Sequence, residues 1–171
     1  MKIFLIGLPG AGKTTLGTAF AQALQLPFYD LDELIEQQAG QSIPELFAQK
    51  GEEYFRQLEA TALREFTNTQ GSFVLATGGG TPCFHEGMAY MQESGNTVYL
   101  EVSFAELARR MSATERDQRP LMQGLAAQDQ AAALEARFAY RLPTYRQAQV
   151  VVSGDALTPD DLLMAFAERR S

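Results

Sequence analysis

The sequence predicts an α/β protein in which a parallel sheet is covered by helices. Two observations carry that prediction. Short β-type runs at residues 2–6, 28–30, 73–77, 97–101 and 150–153 alternate with longer helical stretches, the order that parallel strands joined by crossover helices require. Directly after the first run, Gly7-Leu-Pro-Gly-Ala-Gly12-Lys13-Thr14 completes the pattern G-x-x-x-x-G-K-[ST], a strand-to-helix loop that cradles phosphate. With 171 residues and 46% apolar content, the chain has enough material for one core, and a single domain over 1–171 is expected.

The first run and its loop carry the clearest chemistry. Glycines let backbone N–H groups approach phosphate oxygens where a side chain would collide. Lys13 adds a cation for the outer phosphates, and the Thr14 hydroxyl is placed for Mg²⁺. A helix starting near Lys13 points its positive end at the same anion. The second run ends in Tyr29-Asp30-Leu31-Asp32. Two readings stay open there: both aspartates face the crevice at the strand ends, or both begin the next helix as N-terminal acids favoured by its dipole.

Ser42 with Glu45 and Ser103 with Glu106 read as capping boxes, and Thr158-Pro159 reads as a cap before a first-turn proline. Residues 52–68 read as one amphipathic helix. Residues 112–128 are polar and without clear period, and they contain Arg116, Arg119 and Pro120; they read as a mobile loop or lid. The third strand runs into Thr77-Gly78-Gly79-Gly80-Thr81-Pro82, where three glycines expose backbone either to a ligand or simply as a turn. That strand does not end in aspartate, so a carboxylate supporting Mg²⁺ must come from elsewhere, which favours Asp30.

Phe47, Tyr54 and Phe55 read as core or pocket wall. Arg56 and Glu59 are within reach of each other on a helix, and by spacing alone they are either an oriented pair or a solvated one. Arg137 and Arg141 lie one turn apart and can point at an anion or at water. Cys83 reads as packing and His85 as a surface residue. A single cysteine excludes an intrachain disulfide, and a formal charge of −7 argues against sequence-independent nucleic-acid binding. No apolar run approaches the roughly 20 residues of a membrane span, and the first strand is too short for a signal peptide. A cytoplasmic monomer acting on a small molecule is expected, with no nucleic-acid or membrane partner.

These motifs together resemble the shikimate kinases, in order along nearly the whole chain: Gly7 to Thr15, Phe28-Tyr-Asp-Leu-Asp32, Gly51-Glu-Glu-Tyr-Phe55-Arg56, Ala76-Thr-Gly-Gly-Gly80, Tyr99-Leu-Glu101, Arg119-Pro-Leu121 and Arg141-x-Pro143-x-Tyr145. The resemblance implies a three-layer α/β/α P-loop fold with a five-stranded parallel sheet and a lid, and ATP-dependent phosphorylation of the shikimate 3-hydroxyl. It implies that Gly10, Ala11, Gly12, Lys13, Thr14 and Thr15 hold ATP, and that Arg119 joins them from the lid. Lys13, Asp32 and Arg119 would be catalytic, with Asp32 holding and deprotonating the acceptor hydroxyl. Arg56 and Arg141 would clamp the shikimate carboxylate, Gly79 and Gly80 would contact shikimate through backbone, and Mg²⁺ would sit by Thr14 and, through water, Asp30. A gluconate-type kinase is the alternative enzyme. A catalytically idle nucleotide-binding paralogue is the alternative of another class.

Overall fold

Five strands form one parallel sheet in the order β2-β3-β1-β4-β5, with β1 at Lys2–Ile6, β2 at Phe28–Asp30, β3 at Phe73–Ala76, β4 at Asn96–Glu101 and β5 at Val150–Ser153. The computed structural model describes residues 1–114 and 127–169. The central strand β1 is buried on both faces, since Ile3, Phe4, Leu5 and Ile6 are all fully covered. That explains its unbroken apolar run, the signature of a strand with helices on either side.

Alternate β1 residues meet different layers. On one face, a Cβ added to Gly17 would lie 2.5 Å from Leu5 and 2.7 Å from Phe28, so helix α1 (Lys13–Ala23) presses its backbone on the sheet. Its Phe20 packs edge-on against Phe166 of the C-terminal helix α8 (Pro159–Arg169), 5.8 Å between rings. On the other face, Phe4 meets Phe73, and Phe73 meets Phe66 of helix α3 (Ile43–Thr69). The α/β/α layering is as expected. Helix α2 (Leu31–Ala39) joins β2 to α3, and α4 (Gly87–Ser94) precedes β4. Helices α5 (Phe104–Thr114), α6 (Ala127–Phe138) and the short α7 (Leu142–Tyr145) lie between β4 and β5.

Several boundaries differ from expectation for local reasons. The expected 52–68 helix continues the one begun at Ser42: Gly51 at φ 82 and ψ 171 breaks α3 in two, and only a residue without Cβ adopts that backbone cheaply. The Ser42–Glu45 capping box is complete. At Ser103 only half forms: its hydroxyl accepts from Glu106 N at 3.2 Å, but its own N–H bonds Asp155 at 3.0 Å, because Glu106 turns to Arg109 and Arg110. The ends of the expected 112–128 loop are helical, closing α5 and opening α6. The remainder, with Arg116 and Arg119, lies outside the described residues.

Candidate active site

The turn from β1 into α1 is shaped for an anion. Gly10 and Gly12 adopt φ 84 and 92, a left-handed backbone that costs other residues about 1–2 kcal/mol. Gly12 caps α1, which has no side-chain cap and no acid in its first turn. Its first N–H groups are therefore left for an outside acceptor. Half-buried Lys13 folds back so that Nζ donates to Gly7 O at 2.8 Å and Leu8 O at 3.0 Å. Loss of hydration pulls its pKa down to about 8, while Asp32 and Asp30 hold it up. Gly10, Gly12, Lys13, Thr14 and Thr15 line a cavity of about 590 Å³. Ala11 does not: its methyl is buried and its N–H bonds Leu8 O at 3.1 Å.

Both readings of the aspartate pair meet in one geometry. Asp30 ends β2 and also caps α2, its Oδ1 accepting from Asp32 N at 3.0 Å while Oδ2 accepts from the Thr14 hydroxyl at 2.9 Å. One carboxylate thus links the phosphate loop to the start of α2. Asp32 follows in the first turn of α2. Burial, then Asp30 and Glu59, push its carboxyl up to about 6, against the pull of Lys13.

Asp32 also lines a second, smaller cavity of about 190 Å³ with Arg56, Arg141, Gly79 and Gly80. The same aspartate borders both cavities. Arg56 is no solvated surface residue. It is 7% exposed, donates to Glu59 Oε2 at 2.9 Å, and lies under the ring of Phe84 at 4.5 Å and near Phe55 at 5.2 Å. Arg141 is 8% exposed, stacked on Phe138 at 4.8 Å, with Nε donating to the Tyr140 hydroxyl at 3.0 Å. Two cations this buried, in a pocket walled by Ile43, Phe47 and Phe138, make a receptor for an anion carried on an apolar frame.

The three glycines are explained by what surrounds them. A Cβ on Gly78 would lie 2.6 Å from Glu59, one on Gly79 would lie 2.8 Å from Arg141, and one on Gly80 would run into the Arg56 guanidinium. The turn is bare because Glu59 and the arginine fork occupy the space. Buried Glu59 ties these parts together, accepting from Arg56 and, at 2.7 Å, from the Thr81 hydroxyl. Spacing alone left that role open. Arg110 is a further tie. It donates to Gly10 O at 3.0 Å and to Asp155 O at 2.7 Å, strapping the phosphate loop to residues 153–157 beside the first cavity. Two lesser expectations divide. Phe55 is buried and Phe47 is pocket wall, but Tyr54 is exposed, under Lys50. His85 is exposed and precedes α4, as expected, with Nε2 3.9 Å from Glu53.

A phosphate loop opening on the first cavity, and one acid reaching from it to a carboxylate-sized fork, define a P-loop phosphotransferase for a small anionic acceptor. Comparison with known proteins narrows the class. The family model described as shikimate kinase matches residues 9–169, and the chain belongs to the shikimate kinase family. It is 41% identical over 157 residues to the shikimate kinase of Bacteroides thetaiotaomicron, covering 92% of this chain and 89% of that one. The crystal structure of the shikimate kinase from that organism superposes with TM-score 0.82 at 39% identity, covering 99% and 94% of the two chains. The shikimate kinase from Acinetobacter baumannii in complex with shikimate gives TM-score 0.78 at 34% identity, covering 98% and 90%. A gluconokinase from Sinorhizobium meliloti shares the fold at 19% identity and TM-score 0.60, covering 98% and 91%.

Proposed function

We propose that Lys13, Asp32, Arg56 and Arg141 divide the work of phosphoryl transfer to the 3-hydroxyl of shikimate. The reaction itself follows from family membership: ATP-dependent phosphorylation of shikimate to shikimate 3-phosphate and ADP, in the pathway to chorismate and the aromatic amino acids. One observation carries the division of labour: Asp32 lines both cavities. It is the described acid that can meet an acceptor hydroxyl held by the arginine fork and the end of a phosphate chain held by the loop.

The steps assign themselves by chemistry. Arg56 and Arg141 present planar, permanently charged forks to the shikimate carboxylate, and the walls of Phe47 and Phe138 take its ring. Gly79 and Gly80 bring backbone to the same ligand. Asp32, with a pKa near 6, is ionised at neutral pH and accepts the proton of the attacking hydroxyl. Lys13 exchanges its bonds to Gly7 O and Leu8 O for phosphate oxygens and steadies charge on the transferring group. Gly10, Gly12, Thr14 and Thr15 hold the ATP phosphates, with Ala11 giving the loop its buried anchor. Arg119 is proposed as a further phosphate contact.

The residues present fit Mg²⁺. Among the described residues no three histidine, cysteine or acidic side chains form a metal cage. Thr14 and Asp30 together offer the sparse oxygen set of an ion that keeps waters and takes the rest of its shell from phosphate. Bound there, Mg²⁺ would neutralise phosphate charge. We further propose that the chain is one domain over 1–171 and acts as a cytoplasmic monomer without nucleic acid. Among the described residues no helix is long and apolar enough to cross a membrane.

A coupled assay with ATP, Mg²⁺ and shikimate, beside gluconate and nucleoside monophosphates, tests the acceptor. Turnover confined to shikimate is expected. Turnover of gluconate instead would favour the gluconate-type enzyme, and none with any acceptor would favour an idle paralogue.

A further inference from the structure

We propose that Tyr145 is a positioning residue for this transfer: its buried hydroxyl sets the angle at which Arg141 meets the acceptor's carboxylate and anchors the Gly79 carbonyl beside it. The proposal rests on the reading of Arg141 as half of the carboxylate fork. It gives a task to the last residue of Arg141-x-Pro143-x-Tyr145, which the phosphoryl-transfer chemistry alone does not use.

Arg141 closes a 3₁₀ turn at Ala139–Arg141, and Tyr145 ends α7 four residues later. Residues four apart in helical backbone share a face. Tyr145 has no exposed surface, and its ring is wedged against Tyr99 of β4, 5.3 Å between centroids. A ring so placed cannot swing, so its oxygen is a fixed point. That hydroxyl donates to Gly79 O, and Arg141 Nη1 lies against the same glycine. The three groups converge, for a Cβ on Gly79 would lie 2.8 Å from Arg141 Nη1 and 3.5 Å from the Tyr145 oxygen. Burial holds the phenol well above its ordinary pKa, so it stays a neutral donor throughout the working range of the enzyme.

A long, rotamer-rich side chain is thereby held from two sides. Tyr140 takes Nε at 3.0 Å from the exposed rim, and the Tyr145 oxygen lies on the buried side, beside Gly79. A guanidinium has five N–H groups, so donors remain for a carboxylate after Tyr140 is served. The two phenols differ in one respect that fixes their weight. Water replaces the Tyr140 oxygen when it is removed, whereas nothing replaces that of Tyr145, which would leave Gly79 O without its donor.

The test is steady-state kinetics for both substrates in Tyr145→Phe, Tyr140→Phe, Arg141→Ala and Arg141→Ala/Tyr145→Phe. Tyr145→Phe keeps the ring on Tyr99 and removes one oxygen. It should raise KM for shikimate about tenfold, the worth of one hydrogen bond to a charged group, with KM for ATP within about twofold. Tyr140→Phe should stay within about threefold for both substrates. In the Arg141→Ala background Tyr145→Phe should add less than about twofold, because its route of action is gone. Equal shifts in both KM values, or additivity in the double variant, would reduce Tyr145 to packing and overturn the proposal. Normal shikimate use by Arg141→Ala would remove the fork and the proposal together, whereas a crippled Arg141→Ala beside a silent Tyr145→Phe would spare the fork and remove only the proposal. Should Tyr145→Phe fail to fold, the parent protein labelled with [¹³Cζ]tyrosine decides. The Tyr145 signal should move on adding shikimate and not on adding its methyl ester, and a signal that ignores both overturns the proposal.

Discussion

The two cavities that meet at Asp32 are built in opposite ways. The nucleotide side is centred on one continuous loop, whose backbone is shaped by glycines at φ 84 and 92, with Asp30, Asp32, Arg110 and Leu157 closing its wall. The acceptor side is assembled from α2, both halves of α3, the glycine turn after β3 and the segment entering α7, and its working parts are long side chains held by other side chains. A backbone cradle depends mainly on its own loop, held by Arg110 and Asp30. A fork of arginines needs Glu59, Thr81, Phe84, Phe138 and Tyr145 to be correct as well. Substitutions on the two sides should therefore separate cleanly by substrate, except at the residues where the sides join.

The largest effects belong to that junction. Asp32→Asn should lower kcat by about 10² to 10⁴, the range for loss of a general base, and Lys13→Ala should fall at least as far. Asp32→Asn should also leave the protein more thermally stable at pH 7.5. Its folded-state pKa, about 6, lies above the usual 3.8. The folded protein is thus penalised as pH rises through about 6, and removing the charge removes that penalty. The gain should shrink when the thermal transition is measured at pH 5. An Asp32→Asn enzyme retaining most of its turnover would end the assignment.

Glycine variants then sharpen the division. Gly80→Ala drives a methyl into the Arg56 guanidinium and should weaken shikimate binding about tenfold or more, the scale for disturbing a desolvated charge contact, with ATP binding unchanged. Gly12→Ala forces alanine into a left-handed cap and should do the reverse. Titration calorimetry with each ligand reads both, and a variant that weakens both ligands equally would erase the distinction.

A smaller and reversible effect is set by pH. On the proposed roles Asp32 works ionised and Lys13 protonated, so kcat/KM should fall below pH about 6 and again above about 8, by up to tenfold per pH unit on each limb. A profile flat from pH 5 to 9 would remove both groups from the free enzyme's requirements. Smallest of all, Ser42→Ala breaks a complete capping box. It should cost about 1 kcal/mol in denaturant unfolding while leaving both KM values near the parent's.

The same contrast explains what could be read before the fold was known. Residues 7–14 declare their purpose because spacing, residue type and flanking strand all sit within one loop, and the sheet follows from alternating short and long runs. Arg56 and Glu59 could not be told from a solvated pair, because what buries them, Phe84 and the glycine turn, lies 19 or more positions away in the chain. The Ser103 box half-fails for a similar reason: Asp155, distant in sequence, takes the N–H that Glu106 would have taken. Arg110 is on a legible helix, but its partners Gly10 and Asp155 come from opposite ends of the chain. Local chemistry is written locally, while a side chain's burial is decided by residues that sequence spacing does not connect.

The claim that Arg56 and Arg141, 85 positions apart, form one carboxylate receptor is tested most directly by calorimetry of shikimate and nucleotide binding to Arg56→Ala, Arg141→Ala and the double variant. Each single variant should lose about 2–5 kcal/mol of shikimate affinity. The double variant should lose less than the sum, because both arginines serve one ligand group, and Arg→Lys at either position should not restore binding. Nucleotide affinity should stay near the parent value in all of them. Normal shikimate binding by either single variant, or a parallel loss of nucleotide affinity, would contradict the account.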